Sequence, residues 1–336
     1  MAKSPKQKMK LLYLRDLLLE RTDDEHGLTV AEMIAYLEEN DISAERKSIY
    51  DDLETLQAYG LKIEKIRDKQ HKYAVMDRDF QLPELKILID VVQCAKFLTP
   101  KKSSELIKKI GKLASKHQEK KLSREVTLAN RVKNENESIY YNVDIIHDSI
   151  QKMQKISFKY SVWRIKSGTE GRLCKEYKRN GERYIVKPVA LTWDNTHYYL
   201  IAYESVDGED KIKHFRVDKM KNIVIEDIKA ELPPEHEKFN ITEYCNSSFG
   251  MFGGEKKKVR LRISNEKIGI VADRFGDNIF IVPDGENHFQ VELLVQISPQ
   301  FWSWVFGLGC DAKVISPQEL VSEYKTRLSE VLAEYN

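Results

Sequence analysis

The sequence predicts an α+β protein of several domains, and three observations carry that expectation. The chain has 336 residues, more than one core of ordinary size accommodates. Its first third carries apolar residues at helical spacing. Its middle is dominated by short alternating runs bounded by turn signals, and its last eighty or so residues alternate strand and helix patterns. Charged residues make up 32% and the hydrophobic set 41%, a globular balance, and the net charge is only +2. A bulk basic protein is therefore excluded, and any surface for nucleic acid must come from local clustering.

Over residues 6–21, Leu11, Leu14 and Leu18 recur on one helical face. Thr29 and Glu32 have the spacing of a capping box, so a second helix is expected with Val30, Ile34 and Leu37 inside. After the turn at 40–42, Ser43 is the expected cap of a third helix that buries Ile49, Leu53 and Leu56. Gly60 ends it. Residues 62–66 and 71–75 read as two strands with a basic tip between them. A helix, a turn, a second helix and a hairpin make a winged helix-turn-helix, which sets the start of the second helix in the DNA major groove. The expected DNA-binding residues are Arg46, Lys47, Ser48 and Tyr50 on that helix and Arg67, Lys69 and Lys72 on the wing. Arginine can pair bidentately with guanine, and wing lysines suit phosphate. Asp51, Asp52 and Glu54 follow directly on the same helix and oppose DNA.

This stretch, ISAERKSIYDDLETLQAYGLKIEKIRDKQHKYAV, resembles the recognition helix and wing of regulators that carry a C-terminal WYL domain. The family's Thr-Ile-Tyr-Arg-Asp-Leu core stands here as Ser48-Ile49-Tyr50-Asp51-Asp52-Leu53, followed by Leu56, Gly60 and the wing aromatic Tyr73. The arginine replaced by Asp51 removes one contact to DNA.

Next comes a helical connector. Pro83 suits a first helical turn, and Leu85, Leu88, Val92 and Ala95 continue an apolar helix to about residue 98, where Pro100 breaks it. A second helix carries Leu106, Ile110 and Leu113. Between 101 and 133 stand eleven lysines and arginines against Glu105, Glu119 and Glu125. They read as a solvated helix face or as added contact to the DNA backbone.

In the central region a short helix with Ile146, Ile150 and Met153 leads into strands at 155–163, 174–179, 182–192, 197–203, 211–217 and 223–225. Asn180-Gly181 is the signature of a hairpin turn joining the second and third of these. Short strands after a helix predict a small, strongly bent barrel. The stretches KPVALTWDNTHYYLIAYES and KIKHFRVDKMKNIVIED resemble the WYL domain, with Tyr198-Tyr199-Leu200 in place of Trp-Tyr-Leu and Lys213, Arg216 and Lys219 in the family's basic stretch. The resemblance implies an Sm-like β-barrel that senses a ligand, nucleic acid or nucleotide, single-stranded DNA included. Period-two alternation puts Phe215 and Val217 inside, and His214, Arg216 and Asp218 on the other side. Tyr199, Lys213, His214, Arg216 and Lys219 are the expected ligand-binding residues.

The C-terminal region orders its elements β-α-β-β-α-β with one added helix, a ferredoxin-like pattern. The segment FWSWVFGLGCDAKVISPQELVSEYKTRLSEVLAEY resembles the WCX extension, which implies dimerisation or regulation. The expected domains are thus a winged helix-turn-helix at 1–78, the connector at 79–137, a WYL domain at 138–230, a linker at 231–255 and a WCX domain at 256–336.

No metalloprotease, nucleophile-elbow, P-loop or dinucleotide motif is present, and the eight histidines are scattered. No catalytic residues, metal or cofactor are expected. The four cysteines are far apart and form no CxxC. With no secretory pattern and no apolar run near the ~20 residues a bilayer needs, a cytoplasmic protein without membrane contact is expected. The resulting expectation is a homodimeric transcriptional regulator that binds a double-stranded operator under control of a nucleic-acid or nucleotide effector. Two alternatives stand beside it: a nucleic-acid-binding adaptor of an RNA-processing or phage-defence complex, and a nucleotide hydrolase.

Overall fold

The computed structural model describes residues 5–67, 71–122, 138–166, 172–194 and 196–335. The chain divides into two units, residues 1–137 and 138–336. It is an α+β architecture: N-terminal helices with a small hairpin, a curled half-barrel sheet, and a C-terminal α/β sheet.

In the first unit, a 3-10 turn at Pro5–Met9 runs into α1 (Lys10–Arg21), which buries Leu14, Leu17 and Leu18. Helix α2 (Val30–Glu39) starts on the expected capping box. The Thr29 amide donates to Glu32 Oε2 at 2.7 Å, and the Glu32 amide donates to Thr29 Oγ1 at 3.3 Å. Its inward face is Val30, Met33 and Leu37, with Ile34 only partly covered. Helix α3 (Arg46–Tyr59) buries Ile49, Leu53 and Leu56 as its spacing predicts. Its cap is Glu45 rather than Ser43. Asp41 at φ 60 and the buried Ile42 consume the residues of the turn, so the helix begins two residues later than a serine cap requires. Gly60 closes it at φ 117, a conformation that costs glycine least. Strands β1 (Ile63–Arg67) and β2 (His71–Val75) pair antiparallel, Lys65 opposite Tyr73.

The connector helices are α4 (Leu82–Cys94), α5 (Pro100–Gly111) and α6 (Lys116–Leu122). Pro83 lies in the first turn of α4 as expected. Pro100 does not merely end a helix; it opens α5 behind the Thr99 cap, whose hydroxyl accepts from the Lys102 amide at 3.1 Å. Leu85 and Ile89 are buried with Ala114 and Leu122, whereas Leu88 faces solvent. Polar bonds fasten this layer to α1 and the loop after it. Arg78 donates to the carbonyls of Leu19 and Thr22, both at 2.6 Å, and the Ser115 hydroxyl donates to buried Asp23 at 2.5 Å. The rings of His26 and His117 stack at 3.8 Å.

The second unit opens with α7 (Ser138–Gln151). Six strands follow: β3 (Gln154–Lys166), β4 (Arg172–Tyr177), β5 (Tyr184–Asp194), β6 (His197–Val206), β7 (Glu209–Arg216) and β8 (Met220–Lys229). The order is β4-β3-β5-β6-β7, and β8 also pairs with β3. The expected hairpin between β4 and β5 is not formed. Both run antiparallel to β3, β4 along Ser161–Lys166 and β5 along Ile156–Phe158. Arg179 and Asn180 at φ 52 and 51, with Gly181 at φ 87, make a bulge-like turn after which the chain resumes its direction. Phe158, Tyr184 and Phe215 are buried against one another, Phe158 stacking on Tyr184 at 5.6 Å.

Helix α8 (Ile241–Ser247) then leads to β9 (Glu255–Ser264), α9 (Ile268–Phe275), β10 (Ile281–Pro283), β11 (His288–Ile297), α10 (Pro299–Gly307), β12 (Ala312–Ser316) and α11 (Gln318–Ala333). The strands pair antiparallel in the order β10-β11-β9-β12. Val259, Leu261 and Ile263 of β9 meet Phe301 and Val305 of α10 in one core. Gly254 permits the close approach at the start of β9, because a Cβ there would lie 1.9 Å from the Ile297 carbonyl oxygen.

Candidate functional site

On α3 the first turn is exposed and basic. Arg46 and Lys47 are exposed, and Arg46 Nε donates to the Tyr50 hydroxyl at 3.1 Å. This pair, with Thr29, His71 and Tyr73, lines a cavity of about 350 Å³ between α2, α3 and the hairpin. Ser48 turns away from that side. Its hydroxyl is hydrogen-bonded by the Lys10 ammonium, which also pairs with Asp52 at 2.6 Å. Asp52 is thereby neutralised inside the unit, whereas Asp51 stays exposed one turn beyond Lys47.

Of the wing residues, Lys69 lies outside the described residues, and Arg67 is placed by its backbone opposite His71. Lys72 stands opposite Ile66, one pair in from the tip-side pair Arg67 and His71, and faces the chain before α2. Its Cβ lies 2.9 Å from where a Gly27 side chain would begin, and its charge helps hold Glu32 below the usual carboxylate range, behind the Thr29 hydrogen bonds.

In the second unit the register of β6 and β7 sorts the expected ligand residues. Directly opposed residues of an antiparallel pair share a face. Tyr199 faces Arg216 and Ile201 faces His214, while Leu200 faces Phe215 and Ala202 faces Lys213. Lys213 therefore lies on the opposite face from Tyr199 and Arg216. There it contacts buried Glu204, which Arg179 also engages at 2.7 Å. His214 shares the face of Arg216 but packs under the segment that follows β8. Its ring is 5.5 Å from that of Tyr244, itself 4.9 Å from Phe239. Burial pushes the His214 imidazole below its ordinary range, a hydrogen bond with the Met251 backbone opposing.

Tyr199, Arg216 and Lys219 remain together, and the structure adds Asp218, Tyr160 and Lys178. Arg216 donates from Nε to Asp218 Oδ1 at 3.0 Å and from Nη2 to Oδ2 at 2.8 Å. Its amide donates to the Tyr160 hydroxyl at 3.2 Å. Burial works against the guanidinium's charge, but the Asp218 bonds outweigh it and the pKa is raised. Burial holds the Lys219 ammonium down, with the charges of Arg216 and Lys178 adding to it. Burial pushes Tyr160 up to about 12 and raises Tyr199, so both phenols remain protonated donors at neutral pH. Two of Arg216's three nitrogens are clamped and Nη1 lies outside the clamp. A fixed guanidinium beside an ammonium and neutral phenols is an arrangement for binding a phosphate-bearing anion. Tyr160 and Lys178 could not be read from their own sequence, because β3–β8 pairing and the 178–181 turn bring them here from distant positions.

Among the described residues, no group of three or more His, Cys, Asp or Glu side chains is placed to hold a metal ion. No helix among them is long and apolar enough to cross a membrane.

Comparison with known families matches a WYL domain to residues 141–225 and a WCX domain to residues 255–332. Among solved structures, proteasome accessory factor B/C (PafBC) of Arthrobacter aurescens aligns with 100% of this chain and 51% of its own, at 15% identity and a TM-score of 0.28. The chain thus spans about half the length of that relative. A CRISPR Cas-related protein aligns over 76% of this chain and 71% of its own, at 14% identity and a TM-score of 0.36. No curated protein matches the sequence.

Proposed function

We propose that this chain, which carries a WYL domain and a WCX domain, is a DNA-binding transcriptional regulator controlled by a nucleic-acid or nucleotide ligand. In this reading residues 1–78 are a winged helix-turn-helix joined by the 79–137 connector to an Sm-like WYL barrel, which binds the ligand. The WCX region is a ferredoxin-like dimerisation or regulatory domain. The order β10-β11-β9-β12 around α9 and α10 supports the last assignment.

The observation that carries the proposal is the Arg216–Asp218 clamp with Tyr199 and Lys219 beside it. The doubly hydrogen-bonded guanidinium, with an ammonium and phenols near it, supports a pre-set anion site. On the DNA side the corresponding residues are Arg46, Lys47 and Tyr50. Arg67, Lys69 and Lys72 remain the proposed wing contacts, Lys72 standing one pair in from the turn and near Glu32 at the α2 start. A dimer with two such helices binds half-sites spaced by about one helical turn or a multiple of it.

The test is a genome-wide binding profile with and without single-stranded DNA or nucleotide, followed by footprinting. A regulator gives a discrete duplex footprint whose occupancy changes with the effector. A protein that binds nucleic acid without any specific duplex footprint is an adaptor, and turnover of the nucleotide identifies a hydrolase.

A further inference from the structure

A second basic surface lies outside the Arg216 clamp. Antiparallel pairing of β3 with β4 sets Trp163 opposite Lys175 and Ser161 opposite Tyr177, so these residues share a face. β8 adds Lys221, opposite Lys159 two residues before Ser161. Both rings are open to solvent, Trp163 at 56% and Tyr177 at 46% exposure. Each ring has an ammonium against it: Lys175 Nζ lies 4.6 Å from the Trp163 centroid and Lys159 Nζ 5.5 Å from that of Tyr177. Isolated surface tryptophans are ordinary. A tryptophan and a tyrosine on adjacent strands, each paired with a lysine and joined by a third lysine, form a patterned surface.

The strip joins the Arg216 site. The Ser161 hydroxyl donates to the Lys219 carbonyl at 3.1 Å. Burial holds the Lys221 ammonium down, the charge of Lys175 adding to it and that of Asp218 opposing. Among the described residues no carboxylate pairs with Lys159, Lys175 or Lys221. Trp163 and Tyr177 are diagonal neighbours on the paired strands, so their Cα atoms lie roughly 7–8 Å apart. That is about twice the ~3.4 Å rise between stacked bases. Along β3, residues 159 to 163 cover about 13 Å at ~3.3 Å per residue.

We propose that this strip is a binding track for single-stranded nucleic acid, with Trp163 and Tyr177 as stacking platforms and Lys159, Lys175 and Lys221 on its phosphates. The inference rests on the nucleic-acid reading of the Arg216 clamp and deepens it: the ligand is an oligomer that starts at the clamp and continues over the β3–β4 strands. Rings of either kind accept any base, and lysine ammonium groups accept any phosphate, so the track is tolerant of sequence.

The experiment uses the full chain and fluorescein-labelled oligothymidylates of two, four, eight and twelve residues, read by anisotropy, with thymidine monophosphate and a poly-glutamate peptide as competitors. Affinity is expected to rise with length until the track is filled. Trp163→Ala should weaken the eight-mer roughly 5- to 150-fold, the effect of one stacked base, and leave mononucleotide competition unchanged. Trp163→Phe should restore most of the loss, and Lys175→Gln should flatten the salt dependence. Arg216→Ala should weaken both oligomer and mononucleotide. Trp163 is exposed, so its variants keep the parent's melting curve as a control on folding. If Trp163→Ala binds the eight-mer like the parent while Arg216→Ala does not, the track is wrong and the clamp reading stands. If neither oligomer nor mononucleotide binds, both are wrong. If poly-glutamate displaces the oligomer at equal charge with the same dependence on Trp163, the surface is a docking site for an acidic peptide, and the track is overturned.

Discussion

Arg216 and Asp218 form a two-pronged bond across a step of two residues, Nε to Oδ1 at 3.0 Å and Nη2 to Oδ2 at 2.8 Å. This bond fixes the plane of the guanidinium at the point where β7 gives way to the turn at Val217–Lys219. An arginine held by its own neighbour loses little freedom when an anion arrives, so its binding geometry is set beforehand.

Arg216→Lys therefore tests geometry apart from charge. The substitution keeps the positive charge but removes the planar fork. Affinity for a nucleotide or oligonucleotide is expected to fall about tenfold or more, which corresponds to ~1.4 kcal/mol. Isothermal titration measures this, and equal affinity in the variant would show that only net charge matters at this position.

Lys10 and Asp52 pair at 2.6 Å with side chains only 10% and 13% exposed. This bond ties α1 to the middle of α3 and compensates one of the three acids that follow the first turn of that helix. Breaking one half of a buried pair leaves the other charge without compensation, which costs about 3–5 kcal/mol. Lys10→Met is expected to lower the stability of the first unit by that order in urea unfolding. The double variant Lys10→Met, Asp52→Leu should recover much of the loss. Additive losses in the two single variants and the double variant would show that the residues act independently.

The parts legible in sequence were those fixed by local chemistry. The Thr29–Glu32 box, the Gly60 stop and the stripe Ile49, Leu53, Leu56 each depend on residues within a turn or two of one another. Phe215 is buried as strand alternation predicts, whereas Val217, also buried, lies already in the 3-10 turn that follows β7. What escaped reading depended on pairing between distant segments. Asn180-Gly181 has hairpin chemistry, yet both flanking strands find β3 as their partner, and nothing near residue 180 encodes that choice. Lys213 is separated from Arg216 by the same alternation that unites Arg216 with His214. His214 is covered by a later segment whose Tyr244 and Phe239 look like linker residues in sequence.

That covering gives His214 a pH signature. Burial lowers its folded-state pKa below the ordinary 6.5, and Nε2 is buried with no hydrogen-bond partner. The groups around it are the Tyr244 ring, the Met251 backbone and Gly253. The unfolded chain takes up this proton first as pH falls, so the stabilisation is full above about 6.5 and is lost on acidification toward the folded pKa. One such group tilts stability by at most ~1.4 kcal/mol per pH unit. His214→Phe is expected to lose less stability than the parent between pH 7 and pH 5.5, a window above the ordinary carboxylate range. Parallel curves for the two proteins in urea melts would show that His214 titrates as it does in the unfolded chain.

The proposed recognition of DNA by the first unit rests on a small number of exposed groups. The acids of α3 are disposed unequally, since Asp52 is consumed by Lys10 while Asp51 remains exposed beyond Lys47. In that proposal only the first turn of the helix is electrostatically suited to a groove, and Arg46, held by the Tyr50 hydroxyl at 3.1 Å, is the proposed anchor. Arg46→Ala is expected to cost about 1–3 kcal/mol on the specific operator and to relax preference at one base position. Tyr50→Phe keeps the ring but removes the orienting hydroxyl, so it should cause a smaller loss at the same position. Asp51→Asn should tighten binding to any duplex by lifting a repulsion, with no gain in specificity. Competition footprinting on operator and scrambled duplexes separates these outcomes. An Arg46→Ala variant that loses affinity equally on both duplexes would make Arg46 a phosphate contact rather than a reader of bases.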